Sequence, residues 1–344
     1  MPTVSVRALR VFCLLFVVGF VAAAARADLT WNPQTGWNIQ GGALSGLTGP
    51  DGREALDLMN RARHDEEAGR NRAAIKLYVK VGRKYPSSIY APEAFYRMGL
   101  IRWHRGEYYI AFEDFQAILS RYPNVTRYDE LVSDQYKIAS LLLDGKRNRL
   151  WGWLRLFPNR ERAVAYFQVI LVDAPYGAYA PLCLFDVALG EQYLGNTDAA
   201  IDALDRMVNN YSQSVLTPDA YLRLAELHAS EVEGPYYDQG QTKQAITYDE
   251  DFMILYPTDR KIAEAATGLD ALKTTLAESK VKMGDFYFYK RDNYTAARVF
   301  YNEAITSYPD SSVAKIARKR LNAVEVQANE AAQGRVRKKH FLFF

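Results

Sequence analysis

Cysteine is almost absent from this chain, and one of its two copies, Cys13, lies in an apolar run near the start. A fold stapled by disulfides is therefore excluded. Histidine is equally scarce. His64, His104, His228 and His340 share no ligand spacing, which leaves too little material for a His/Cys metal cluster. Charge of one sign is missing too. Lys and Arg number 43 against 40 Asp and Glu, and the first 27 residues hold Arg7, Arg10 and Arg26 but no acid. The rest of the chain is balanced at 40 of each, which excludes a globally basic surface for nucleic acid. The sequence also lacks a His-Glu-x-x-His helix, a Gly-x-Ser-x-Gly elbow and a Gly-Lys-Ser/Thr phosphate loop. Each would be required for a familiar hydrolytic or nucleotide chemistry. No catalytic, cofactor-binding or metal-binding residue is nominated, and the chain reads as non-enzymatic.

The apolar run Val11 to Ala25 follows Arg7 and Arg10 and ends in Ala25-Arg26-Ala27. It is shorter than the roughly 20 residues that cross a bilayer. Basic start, apolar centre and small-x-small end predict a signal peptide over residues 1–27 and an exported chain beginning at Asp28. Residues 28–50, with Trp31-Asn32-Pro33 and Trp37, read as a flexible N-terminal arm whose tryptophans dock on a partner. Cys183, in Leu182-Cys183-Leu184-Phe185, reads as a small buried hydrophobe.

What is present is repetition. Tyr85-Pro86, Tyr122-Pro123, Tyr256-Pro257 and Tyr308-Pro309 recur, with degenerate copies at Ala174-Pro175 and Tyr211-Ser212. Twelve residues before the second member stands Ala in all six: Ala74, Ala111, Ala163, Ala200, Ala245 and Ala297. Five residues before it stand Val81, Ile118, Ile170, Met207, Phe252 and Ala304. Ala62, Gly99 and Ala188 lie 24 residues before Pro86, Pro123 and Ser212. Small residues at fixed helical positions let paired helices approach closely, and Pro punctuates the end of each unit. Gly69-Arg70-Asn71, Gly106-Glu107, Gly195-Asn196 and Asp292-Asn293 mark the turns between paired helices.

These units resemble tetratricopeptide repeats. The second is clearest, with Phe95, Met98, Gly99, Gly106, Tyr108, Ala111, Phe115, Ile118 and Pro123 in the family's order. The resemblance implies an all-α tetratricopeptide-repeat solenoid of about five to six helix pairs over residues 51–326, followed by a basic then apolar C-terminal tail over 327–344. The repeat ends are spaced 37, 52, 37, 45 and 52 residues apart. That irregular order is similar to the BamD family of outer-membrane assembly lipoproteins. Four segments carry the likeness: Asp65 to Pro86; Tyr236-Tyr237-Asp238-Gln239 before Leu255-Tyr256-Pro257; Tyr289-Lys290-Arg291-Asp292-Asn293-Tyr294-Thr295-Ala296-Ala297; and Ser307-Tyr308-Pro309-Asp310-Ser311. It implies a periplasmic scaffold that assists insertion of β-barrel proteins into the outer membrane. The N-terminal repeats would receive unfolded outer-membrane protein segments, and the C-terminal repeats would dock on the barrel-assembly machinery. The family's lipidated N-terminal Cys has no counterpart here, which keeps a second reading open: a soluble periplasmic adaptor coupling envelope or peptidoglycan complexes.

Two places are candidates for partner binding. Helical spacing from Gly99 puts Tyr96, Leu100, Trp103 and His104 near the groove of such repeats, where exposed aromatics suit an extended peptide; packing of Trp103 on the next repeat is the alternative. The second candidate is the insert Lys146 to Pro158, which sets Trp151, Trp153 and Phe157 among Lys146, Arg147, Arg149 and Arg155. It reads either as a peripheral contact with anionic lipid headgroups of the outer membrane or as an amphipathic hairpin folded back on the repeats. The tail Arg335 to Phe344 reads as a surface-binding segment or a frayed end.

Overall fold

A computed structural model describes residues 28–40 and 49–333. The expected signal peptide and the last eleven residues of the tail lie outside the described residues. Two compact units meet inside one helix, the first ending at Tyr166 and the second starting at Phe167.

The first unit opens with a β-hairpin, β1 (Asp28–Asn32) and β2 (Gly36–Gln40), paired antiparallel with Leu29 opposite Ile39 and Trp31 opposite Trp37. Helices α1 (Gly49–Glu67), α2 (Asn71–Lys84), α3 (Tyr90–His104), α4 (Tyr108–Arg121) and α5 (Tyr128–Leu143) follow. A short hairpin, β3 (Arg149–Leu150) and β4 (Leu154–Arg155), then precedes α6 (Arg160–Asp173), which holds the unit boundary. The second unit continues with α7 (Ala180–Leu194), α8 (Thr197–Asn210), α9 (Thr217–Ser230), α10 (Gly240–Leu255) and α11 (Ile262–Asp285). A π-helical turn, Phe286–Lys290, extends α11 before α12 (Tyr294–Ser307) and α13 (Ser312–Ala332). Among the described residues this makes six helix pairs closed by a single last helix, an all-α repeat fold.

The alanine register explains the pairing. All six of Ala74, Ala111, Ala163, Ala200, Ala245 and Ala297 are fully buried. So are Val81, Ile170, Met207, Phe252 and Ala304, with Ile118 nearly so. A bare methyl at the crossing lets the partner helix approach to near backbone contact. On the first helix of the second pair even a methyl is too large: a Cβ on Gly99 would lie 2.5 Å from Phe115 Cε1. The last pair does the same with Gly284, whose Cβ would lie 2.5 Å from Tyr301 Cε1. Gly284 stands 25 residues before Pro309, not 24, because the π turn inserts one extra residue between it and the repeat's end. Successive units are tied at the proline corner. Tyr122 donates to the Pro86 carbonyl at 2.8 Å, and Tyr211 donates to that of Pro175.

The turns within pairs share one geometry. Gly69, Gly106 and Gly195 each stand 17 residues before the repeat's end and have φ of +72°, +77° and +81°. Asp292 occupies the same place in the last repeat with φ +49°; Asp accepts the left-handed region better than most residues. The helix that closes the array, α13, buries Val313, Ala314, Ala317 and Val324, and Ser311 caps it by accepting from the Ala314 N–H at 3.0 Å. It runs to Ala332, so the first residues expected in a tail are helical.

The arm expected over 28–50 is corrected over residues 28–40, which are the β1–β2 hairpin, while its residues 41–48 lie outside the described residues. Alternation buries one face. Trp37 and Leu29 join the core of α1 to α3 beside Leu58, Met59 and Ala62. The Trp37 N–H donates to Asn60 Oδ1 at 3.0 Å. Trp31 stacks obliquely on Trp37 at 5.3 Å, and the Arg63 guanidinium lies 5.4 Å from its ring centre. Trp37 is therefore core and not a free docking residue, because burying an indole outweighs the loose chain entropy of so short a segment.

Candidate functional site

The first helices of the first three pairs, α1, α3 and α5, all lie in the first unit and bring a row of charged side chains together. Glu66 on α1 accepts from Arg63 at 3.0 Å, from Arg97 on α3 at 2.6 Å and from the Tyr78 hydroxyl at 2.7 Å. Glu93 on α3 faces Arg127 at 3.6 Å, and Arg127 also faces Glu130 at 3.5 Å. Asp134 on α5 pairs with Lys137 at 2.9 Å. Glu93 and Glu130 are 37 residues apart, as are Arg97 and Asp134, so equivalent positions of successive repeats supply the row. A cavity of about 160 Å³ opens beside it, between Leu29, Pro92, Glu93, Tyr96, Arg127 and Leu131.

Burial sets the electrostatics. Glu93 is 8% exposed. Loss of water pushes its carboxyl up to about 7 against the pull of Arg127, with Glu130 and Glu66 adding to the rise. Burial also raises Glu66, opposed by Tyr78 and Arg63. A face that carries ionisable groups so little hydrated offers directional partners to the polar backbone of an extended chain.

The four groove candidates do not share that face equally. Tyr96 is buried, not an exposed aromatic. Its hydroxyl donates toward Glu130 Oε1 at 2.8 Å and Asp134 Oδ2 at 3.2 Å. Its ring lies 5.7 Å from Phe115, with the Arg127 guanidinium 5.0 Å from its centre. Burial and the two carboxylates hold the phenol protonated, as a donor. Trp103 is half-buried and meets Phe115 of its own repeat edge-on at 6.4 Å. Leu100 is half-buried. His104 is exposed at the end of α3, its Nδ1 2.7 Å from the Leu100 carbonyl. The charged row that surrounds Tyr96 was missed by reading apolar periodicity alone. The 37-residue recurrence of its carboxylates and arginines was the available signal.

The second candidate is the β3–β4 insert, between the helices of the third pair. Its stem folds back on the second repeat. Asn148 is buried; its Oδ1 accepts from the Tyr109 N–H at 3.1 Å, capping the start of α4, where Glu107 makes no side-chain cap. The Arg149 N–H donates to the Gly106 carbonyl at 2.8 Å, and Arg105 Nη2 donates to the Trp151 carbonyl at 3.0 Å. The tip does the opposite. Trp151 and Trp153 are 60% and 67% exposed, and Phe157 is 89% exposed. The two indoles stack on each other, centres 6.3 Å apart. The turn has φ +56° at Trp151 and +80° at Gly152, and the Trp153 N–H returns to the Leu150 carbonyl at 3.3 Å. Two residues with positive φ fit a type I′ hairpin turn, whose first place favours Asn, Asp or Gly. A Trp there costs roughly 1–2 kcal/mol of backbone strain. The stem is thus folded back on the repeats, and the tip is exposed.

Cys183 is fully buried, and burial pushes its thiol up, so it is held as an inert thiol. Among the described residues no cluster of three His, Cys, Asp or Glu side chains could hold a metal ion, and no helix is long and apolar enough to cross a membrane.

Comparison with known proteins agrees with the repeat geometry. The tetratricopeptide repeat model matches residues 93–124, 183–214 and 278–311, which are α3–α4, α7–α8 and the end of α11 through α12. The chain is an all-α tetratricopeptide-repeat solenoid. None of the curated proteins matches its sequence. Among solved structures, a tetratricopeptide repeat protein from Parabacteroides merdae is 14% identical, with 79% of this chain and 99% of that one covered and a TM-score of 0.32. MamA from Desulfovibrio magneticus is 14% identical over 62% of this chain and 99% of that one, with a TM-score of 0.32. A thermophilic repeat protein of Thermus thermophilus is 19% identical over 62% and 98%, with a TM-score of 0.30. Such repeats bind protein partners, and the fold is that of an interaction scaffold.

Proposed function

We propose that this chain is a non-enzymatic periplasmic scaffold resembling BamD, which assists insertion of β-barrel proteins into the outer membrane through protein–protein contacts. The observation that carries the reading is the order of repeat spacings, 37, 52, 37, 45 and 52 residues, together with the four segments that follow the BamD pattern. Two of those segments lie where the repeats depart from regularity: Tyr236–Gln239 is in the turn before α10, and Tyr289–Ala297 begins in the last residues of the π turn and runs into the start of α12. The charged row on α1, α3 and α5 is suited to hold an extended, unfolded segment by its backbone. The C-terminal repeats are then left for the barrel-assembly machinery. The second reading is a soluble periplasmic adaptor for envelope or peptidoglycan complexes.

The test is affinity purification of the tagged chain from crosslinked envelopes, with mass spectrometry of what it carries. Enrichment of the large barrel-assembly protein supports the scaffold. Its absence, with peptidoglycan or trans-envelope proteins enriched in its place, sinks that reading in favour of the adaptor.

A further inference from the structure

The tip of the β3–β4 hairpin carries the strongest unexplained features of the molecule. Trp151, Trp153 and Phe157 bury nothing of the chain's own core, yet Trp151 keeps a left-handed backbone that an Asn or Gly would adopt at less cost. Strain of this kind points to a use outside the fold. The surroundings say what kind of use. From Gly145 to Arg160 there is no acidic residue. Lys146, Arg147, Arg149 and Arg155 make no ion pair among the described residues, although Arg102 and Arg105 of the second repeat do. Lys146 and Arg147, just before β3, and Arg155 on β4 are exposed.

We infer that this hairpin docks on the surface of an anionic lipid bilayer, with the Trp151 and Trp153 indoles at the headgroup–acyl boundary and Lys146, Arg147 and Arg155 on lipid phosphates. Indoles partition to that boundary because an apolar ring and one N–H match a half-wet layer. Unpaired cations beside them select negative headgroups. A protein groove would more simply supply carboxylates to four cations and a pocket to one aromatic. A flat display of two stacked indoles suits a surface that yields. Asn148 and Arg105 tether the hairpin to the second repeat, so the exposed tip stands on an anchored base without being long. The inference goes beyond the scaffold reading and stands whichever protein the repeats bind.

The test reads the hairpin itself, so that other membrane-seeking segments of the full chain do not decide it. The full chain and its W151A/W153A variant are mixed with vesicles of phosphatidylcholine brominated in the acyl chains, with or without one-third phosphatidylglycerol. The difference between the two emissions isolates Trp151 and Trp153 from Trp31, Trp37 and Trp103. We expect that component to be quenched on anionic vesicles and unquenched on neutral ones. Replacing Lys146, Arg147 and Arg155 with Glu should raise the lipid concentration for half-quenching by on the order of a hundredfold, roughly fivefold for each cation lost. All five side chains are exposed, so unchanged circular dichroism is expected to accompany these variants. An unquenched component on anionic vesicles, equal quenching on neutral ones, or indifference to the three Glu substitutions overturns the inference. So does loss of a crosslinked protein partner in W151A/W153A with lipid quenching absent, which assigns the tip to protein recognition.

Discussion

Gly99→Ala should destabilise the first unit, against the usual sign for this substitution. In a helix interior, Gly to Ala ordinarily gains about 1 kcal/mol. Here the new Cβ would lie 2.5, 2.9 and 3.1 Å from Cε1, Cδ1 and Cζ of Phe115. That ring is fully buried and has no free side to move to, since Tyr96 and Trp103 lie 5.7 and 6.4 Å from it. Overpacking a filled core costs about 1–3 kcal/mol, so against that gain the net expectation is a loss of up to about 2 kcal/mol. Gly268→Ala on α11 is the control. Its Cβ would meet only Asp249 Oδ2 at 3.5 Å, an ordinary contact, so the gain of up to about 1 kcal/mol remains. Urea unfolding of both variants, compared at equal slope, measures the difference. Phe115→Leu should cost less in the Gly99→Ala background than alone, because it removes the clash. A Gly99→Ala protein as stable as the parent, or more so, would refute the close-approach account of the repeat register.

Two further predictions concern the candidate sites. The Glu93 carboxyl, held at about 7 by burial against an ordinary 4.5, binds its proton more tightly in the folded chain. Its contribution to stability is therefore full below about pH 4.5 and lost as pH rises through about 7, worth about 3 kcal/mol over that span. Glu93→Gln cannot ionise, so it should gain on the parent between pH 5 and pH 8 in parallel thermal melts; an equal or greater loss at pH 8 than at pH 5 contradicts the assignment. Asn148→Ala should cost about 1 kcal/mol by uncapping α4. It should also speed tryptic cleavage at Arg147, Arg149 and Arg155, while Asn148→Asp keeps the acceptor and restores protection.

Where sequence and structure agree, the constraint is local and repeated. Six alanines at one register could be read because each obeys the same steric demand. The fourth small residue, Gly284, escaped that rule because a π turn shifts it by one place, and nothing in the composition of Phe286-Tyr287-Phe288-Tyr289-Lys290 announces an i+5 turn. Tyr96 was placed on an open face because a wheel drawn on one helix does not contain its neighbours. In the molecule α5 supplies Glu130 and Asp134 over that face, and a phenol with two acceptors in reach is better buried than exposed. The N-terminal hairpin was legible in principle. Leu29 and Trp31, then Trp37 and Ile39, alternate around Asn32-Pro33 and Gly36, which is a strand–turn–strand pattern. Pro33 and Gly36 there serve the tight turn between the strands and do not loosen the segment.

The position of the insert matters more than its length. Repeat ends Tyr122 and Ala174 are 52 residues apart instead of 37, yet Glu93 and Glu130 keep the 37-residue step and meet the same arginine. All the extra chain therefore falls after α5, between the helices of the third pair. An insertion before α5 would have rotated Glu130 and Asp134 away from Tyr96 and broken the charged row. Placed after it, the insertion leaves the row continuous and emerges beside the turn of the second repeat, where Gly106 offers a carbonyl to Arg149 and no side chain to obstruct it; a Cβ there would lie 3.0 Å from Arg149 Cδ. One segment thus adds a displayed aromatic tip without disturbing the face that the repeats build, which is the arrangement expected if the two surfaces take different partners at the same time.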